Sequence, residues 1–93
     1  MQYFVYLLVS KNNNKILSYV GYTIDLKKRL NLHNHGKGAK FTKGRKWILI
    51  YSKIYLSKKK AMSEEYKLKK NYKLRNRLKI DYYESLKLSL WII

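Results

Sequence analysis

The chain has 93 residues, with no cysteine, no proline, four glycines and five acidic residues. Without cysteine there is no disulfide, no zinc thiolate site and no thiol nucleophile, and nothing supports secretion. The expected location is a reducing, intracellular one: cytoplasm, nucleoid or nucleus. The longest uninterrupted apolar run, Tyr3 to Val9, is far short of the roughly 20 residues a membrane span needs and lacks the flanks of a signal peptide. A soluble protein without a membrane partner is expected. No Pro/Ser-rich linker and no internal repeat divides the sequence, so a single domain over residues 1–93 is expected, with a core at 2–80 and a basic helical extension at 71–93.

What is abundant is positive charge. Twenty-two Lys and Arg leave a formal charge of +17. Self-repulsion on that scale is offset by polyanions, and each phosphate neutralised releases condensed counterions, so nucleic acid is the expected partner. One alternative is compositional: Lys, Asn, Ile and Tyr are what A·T-biased coding produces. A membrane-surface helix is another, but it would leave the N-terminal half unexplained. At 46% apolar and 15% aromatic residues, ten of them Tyr, the chain is too hydrophobic for a disordered tail. At this length about two-thirds of the unfolded surface can be buried.

Hydrophobic patterning gives the order ββαβαα, an α/β (α+β) arrangement of a three-stranded antiparallel sheet flanked by helices. Gln2–Ser10 and Ile16–Tyr22 read as a hairpin around the turn-rich Lys11–Lys15, with Gly21 marking a bulge or a close backbone approach. Thr23 or Asp25 caps a helix from Leu26 to His35, carrying Leu26, Leu30 and His33 on one face, and Gly36-Lys37-Gly38 ends it. Residues 37–46 read as a basic surface loop, and Trp47–Leu56 as a third strand. There Ile48, Ile50, Ile54 and Leu56 alternate imperfectly with Tyr51, Lys53 and Tyr55. Ser57 caps a helix over Lys58–Lys70, and Asn71–Ile93 reads as one or two helices with a stripe of Leu74, Leu78, Tyr82, Leu86 and Leu90.

Phosphodiester hydrolysis with a divalent cation needs at least one oxygen ligand, and the acidic residues are few. Asp25 is a cap; Asp81 and Glu84 are explained by surface pairing. Adjacent helical residues point about 100° apart. Glu65 therefore shares a face with Ala61 and Leu68, while Glu64 is expected among solvated lysines. Glu65 is thus either a metal ligand or the partner of a basic side chain. Tyr6 and Tyr19 lie on adjacent strands, where two phenols either orient or deprotonate a water or simply pack the sheet. Arg29 and His33, four apart on one helix, either face the sheet and a phosphate or belong to a solvated basic helix.

Phe4-Val5-Tyr6, separated by twelve residues from Tyr19-Val20-Gly21, resembles the paired-strand motifs of the GIY-YIG nucleases, with Phe4 for the first Gly and Val20 for Ile. Asp25 to Leu30 with His33-Asn34 resembles that family's arginine helix, Gly36 to Arg45 its basic loop, and Ala61, Glu65, Leu68 and Lys69 its glutamate helix. Similarity is strongest to the small stand-alone branch and to the catalytic domain of structure-specific junction nucleases. Tyr22 stands where the excision-repair branch carries Lys, and no Cys/His cluster follows.

The resemblance implies that Glu65 binds one divalent ion, Mg²⁺ or Mn²⁺, and that Tyr6 and Tyr19 flank the attacking water. It further implies that Arg29 holds the scissile phosphate, that His33 supports it or shares the proton transfer, and that Gly21 lets the backbone approach without a Cβ. DNA would be held by phosphate contacts from Lys27, Lys28, Lys37, Lys40, Lys43, Arg45 and Lys46. The expected function is a metal-dependent DNA endonuclease for branched or distorted DNA, since so short a chain has little room for a sequence-reading module. The alternative is a non-catalytic nucleic-acid-binding module that keeps the fold.

Overall fold

A computed structural model describes residues 1–92. Strands β1 (Tyr3–Asn12) and β2 (Lys15–Thr23) form a hairpin closed by the pair Asn12 and Lys15. Only Asn13 and Asn14 turn the chain, Asn13 taking a positive φ of 56°, which asparagine tolerates. The strands therefore run further than the polar composition of residues 11–15 suggests. Strand β3 (Ile48–Tyr55) pairs antiparallel with the other side of β1, giving the order β2-β1-β3.

β1 is central, and every residue from Val5 to Ser10 is buried. A strand covered on both faces loses its polar alternation, which is why this stretch reads as a continuous apolar run. On one face Val5 and Leu7 pack with Val20 of β2 and with Ala61 and Leu68 of helix α2 (Lys58–Lys70). On the other, Tyr6, Leu8 and Trp47 pack with Leu17, Tyr19 and Leu49, and with Leu26 and Leu30 of helix α1 (Leu26–Asn34). Leu7 is fully buried, so truncation to Ala costs about 2–5 kcal/mol.

The third strand departs from the expected facing. Leu7 pairs with Tyr51 but Leu8 pairs with Leu49, so Ile50 is an extra residue. This bulge puts Ile50, Tyr51 and Tyr55 together against the α2 face. Ile48, Ile54 and Leu56 are left 48%, 50% and 79% exposed. The regular alternation that would bury these three is broken at that point. Trp47 precedes the strand rather than starting it. It is buried, and Asn34 brackets its backbone by accepting from Trp47 N at 2.6 Å and donating to Trp47 O at 3.1 Å.

The helix ends follow local chemistry. The Asp25 carboxylate accepts from Lys28 N at 3.1 Å, and Ser57 Oγ from Lys60 N at 3.2 Å. Gly36, at φ 73°, terminates α1. Helix α3 (Tyr72–Ile92) is one helix, not two, capped by Asn71, whose Oδ1 accepts from Leu74 N at 3.0 Å. Its sequence holds no glycine or proline to break it. It lies against the sheet: Leu78 joins the core, Arg75 donates to Ser18 Oγ at 3.3 Å and Lys79 to Ile16 O at 3.4 Å. The Leu90 side chain, expected on the same stripe, lies outside the described residues.

Candidate active site

Pleating of the hairpin brings the two phenols to one face. Tyr6 pairs across the ladder with Gly21 and Leu8 with Tyr19, so Tyr19 is the diagonal neighbour of Tyr6, with ring centroids 6.4 Å apart. The Tyr6 ring lies across Gly21, where an added Cβ would collide with its hydroxyl end. This glycine is required by close approach, as its position inside a strand suggests.

Helix α1 supplies the next two groups. His33 is fully buried, and its Nε2 lies 2.8 Å from Tyr6 Oη. On its other side Nδ1 lies 2.8 Å from Thr42 Oγ1. Arg29, one turn earlier, donates from Nη2 to Gly38 O at 3.2 Å, while its buried Nε has no hydrogen-bond partner. The basic loop thus folds over α1, so closely that a Cβ at Gly38 would strike the imidazole.

These groups shape each other's protonation. Burial pushes the Tyr6 phenol above its ordinary value of 10.0, opposed by the Arg29 guanidinium and reinforced by Tyr19 and the negative charge of Glu65. Burial, with Arg29 adding to it, holds His33 below its ordinary 6.5. The imidazole is therefore neutral at pH 7, with one nitrogen able to accept a proton.

Glu65 approaches from α2, on the face it shares with Ala61 and Leu68. Its side chain is 17% exposed and paired with Lys69 Nζ at 3.0 Å. Glu64 is 24% exposed, paired with Lys60 at 3.1 Å and Lys67 at 3.7 Å, which hold its carboxyl below the ordinary value. Glu64 is thus less solvated than its lysine-rich surroundings suggest, because it borders a groove with Tyr51 and Tyr55. Among the described residues no three of His, Cys, Asp and Glu come together. A cation here would rely on the Glu65 carboxylate and water. That donor set fits Mg²⁺, which keeps most of its waters, and Mn²⁺ also accepts it; Lys69 would have to swing away.

The basic residues divide into separate patches. Lys27 and Lys28 are exposed on α1 and border a depression with Asn31 and Asn34. Lys43, Arg45 and Lys46 border another at the end of β1, together with Lys11. Lys37 and Lys40 are exposed on the loop between. Arg45 also holds the loop: it donates to Phe41 O at 2.8 Å and lies over the Phe41 ring at 5.3 Å.

Thr42 and Lys11 are participants that the sequence reading did not single out, and Gly38 was read only as part of the end of α1 and of the basic loop. Thr42 carries no signal in a basic loop without periodicity, and Lys11 sits in a turn that proves to be strand. Phe41 stacks on Tyr19 at 6.4 Å, a contact that needs the folded loop.

Comparison with known proteins supports the fold that carries these residues. The chain is 37% identical to the UPF0213 protein YazA of Bacillus subtilis over 91 residues, covering 97% of this chain and 89% of that one. It is 46% identical over 72 residues to a UPF0213 protein of Bacillus pumilus, covering 76% and 70% respectively. The solution NMR structure of the UPF0213 protein BH0048 from Bacillus halodurans matches with a TM-score of 0.50 at 34% identity, over 87% of this chain and 84% of that one. The description GIY-YIG catalytic domain matches residues 2–79, and the chain belongs to that family, with its nuclease fold.

Proposed function

We propose that the protein is a metal-dependent DNA endonuclease that hydrolyses phosphodiesters in branched or distorted DNA inside the cell, with residues 2–80 as its catalytic unit. One observation carries this reading. The buried Tyr6 phenol touches the His33 imidazole at 2.8 Å, beside the Arg29 guanidinium, whose buried Nε has no hydrogen-bond partner. A packing tyrosine needs one partner for its buried hydroxyl, but not a guanidinium beside it. A phenol that handles the proton of a water needs both a proton acceptor behind it and a cation for the phosphate beside it.

In this reading the Arg29 guanidinium binds the scissile phosphate. The water oxygen forms a bond to phosphorus as the ester P–O bond breaks. The water proton passes to Tyr6 Oη while the Tyr6 proton passes to His33 Nε2, and the departing oxygen takes a proton from solvent. A divalent ion at Glu65, when bound, neutralises charge developing on the phosphate oxygens. Tyr19 borders the water and fixes the Tyr6 ring. Lys27, Lys28, Lys37, Lys40, Lys43, Arg45 and Lys46 contact phosphates, which carry no sequence information, so specificity is assigned to DNA shape.

A non-catalytic nucleic-acid-binding module is favoured by a different observation: Lys69 already neutralises Glu65 at 3.0 Å. The two readings separate in one assay. Labelled four-way junction, flap and plain duplex are incubated with the protein and Mg²⁺ or EDTA. Mg²⁺-dependent cleavage favouring the branched substrates supports the endonuclease; tight binding without cleavage in Mg²⁺ or Mn²⁺ supports the module.

A further inference from the structure

We propose that Thr42 is a positioning residue that fixes the tautomer of His33, so that the imidazole presents a bare Nε2 to the Tyr6 phenol. The inference rests on the endonuclease reading for its catalytic consequence, but not for its structural claim.

Thr42 is fully buried in the basic loop, and its hydroxyl has three partners. It lies 3.0 Å from Ala39 O, 3.2 Å from Ala39 N and 2.8 Å from His33 Nδ1. A hydroxyl has one proton and two acceptor positions. Ala39 O can only accept, and it takes the Thr42 hydroxyl proton at 3.0 Å beside the Thr42 N–H at 3.2 Å. Ala39 N–H can only donate, so it takes one of the oxygen's acceptor positions. The remaining position faces His33 Nδ1, which must therefore carry the hydrogen. In a neutral imidazole the proton on Nδ1 leaves Nε2 bare, and Nε2 accepts the Tyr6 O–H at 2.8 Å. The whole chain of donors then runs one way, from Tyr6 through His33 and Thr42 to Ala39 O.

The opposite tautomer makes one hydrogen bond fewer, although Ala39 O keeps the Thr42 N–H. With the hydrogen on Nε2, Nδ1 would need a donor, and Thr42 would have to abandon Ala39 O to supply it. Tyr6 would then accept from His33 and turn its own hydrogen elsewhere, so the imidazole could not take the phenol proton. When His33 does take that proton, it becomes an imidazolium with N–H groups on both sides. The phenolate then accepts on one side and Thr42 Oγ1 on the other, with no rearrangement of the loop. The charged and titratable groups facing this pair are Arg29 from α1, Tyr19 from β2 and Glu65 from α2. None of them bonds to Nδ1, where the partner is Thr42 Oγ1.

The test reads the tautomer directly. The chain has two histidines, so the ¹⁵N imidazole resonances of full-length labelled protein are few enough to assign. The wild type is expected to show His33 with a protonated Nδ1 and a bare Nε2 near neutral pH. Thr42→Val, which removes the hydroxyl, is expected to move His33 toward the Nε2–H form and to slow junction cleavage about 100-fold. Thr42→Ser is expected to restore both, and covers the case in which the valine variant does not fold. A wild-type spectrum with the proton on Nε2, or a folded Thr42→Val protein whose tautomer is unchanged, overturns the proposal. A tautomer that switches while an active enzyme cleaves at its full rate would overturn the role of His33 in the reaction, leaving the structural claim standing.

Discussion

The Tyr6 hydroxyl has two neighbours, His33 and Arg29, where a packing residue would require only one partner, and replacing single atoms separates their roles. Tyr6→Phe keeps the ring that packs under α1 but removes the oxygen, and is expected to lower the cleavage rate by about 10²–10⁴. Tyr19→Phe keeps the stacking on Phe41 and should cost far less, because no hydrogen bond ties its oxygen to His33. Single-turnover rates on a labelled junction distinguish them; equal, small effects would show that both rings merely pack. Arg29→Lys keeps the charge but not the planar fork, and is expected to be nearly inactive with an almost unchanged melting temperature.

Stability should respond to pH through the same two side chains. The folded pKa of His33 lies below 6.5, so on acidification the unfolded chain takes up that proton before the native one does. Its contribution is present above pH 6.5 and is lost as pH falls toward the folded value. The folded pKa of Tyr6 lies above 10.0, so its contribution is full below pH 10.0 and is lost as pH rises through the folded value. Urea unfolding at a series of pH values should show the acid limb, and His33→Gln should flatten it. An acid limb unchanged in that variant would assign it to the carboxylates instead.

At the scale of elements, α2 carries the sharpest contrast. Glu65→Gln is expected to abolish cleavage while leaving DNA affinity nearly intact, and Glu64→Gln to do little. Inactivity of Glu64→Gln with full activity of Glu65→Gln would mean that the helix presents the other carboxylate to the reaction. The phase of α2 was legible because Ala61 and Leu68, both buried, bracket Glu65 at helical spacing. The caps Asp25 and Ser57 were legible too, since capping is local chemistry. The facing of β3 was not, because the extra residue Ile50 shifts the alternation and a bulge has no fixed sequence signature. The loop was legible only as basic. That Arg45 bonds to Phe41, and that Thr42 grips His33, depend on contacts across 4 and 9 residues of irregular chain.

For the molecule as a whole, part of the charge of +17 lies in separate patches, one on α1 and one at the end of β1. Log affinity for DNA is expected to fall linearly with log salt, each phosphate contact contributing about 0.9 to the slope. Replacing Lys37, Lys40 and Lys43 should flatten it. Lys11→Ala should flatten it further if the patch at the end of β1 is engaged, whereas Arg45→Ala should act mainly through the loop it holds. α3 adds a different element. Its Arg75 and Lys79 bond to β2, so part of the basic C-terminal segment supports the sheet rather than standing free for a partner.

The most direct measurement is the single-turnover cleavage rate of a labelled four-way junction at saturating protein, across a Mg²⁺ titration, for wild type, Glu65→Gln and Tyr6→Phe. The account predicts a saturable, EDTA-sensitive rate in the wild type, and losses of about 10²-fold or more in both variants with junction binding retained. Wild-type cleavage that ignores EDTA, or equal rates in all three proteins, would contradict it and place the reaction elsewhere on the molecule.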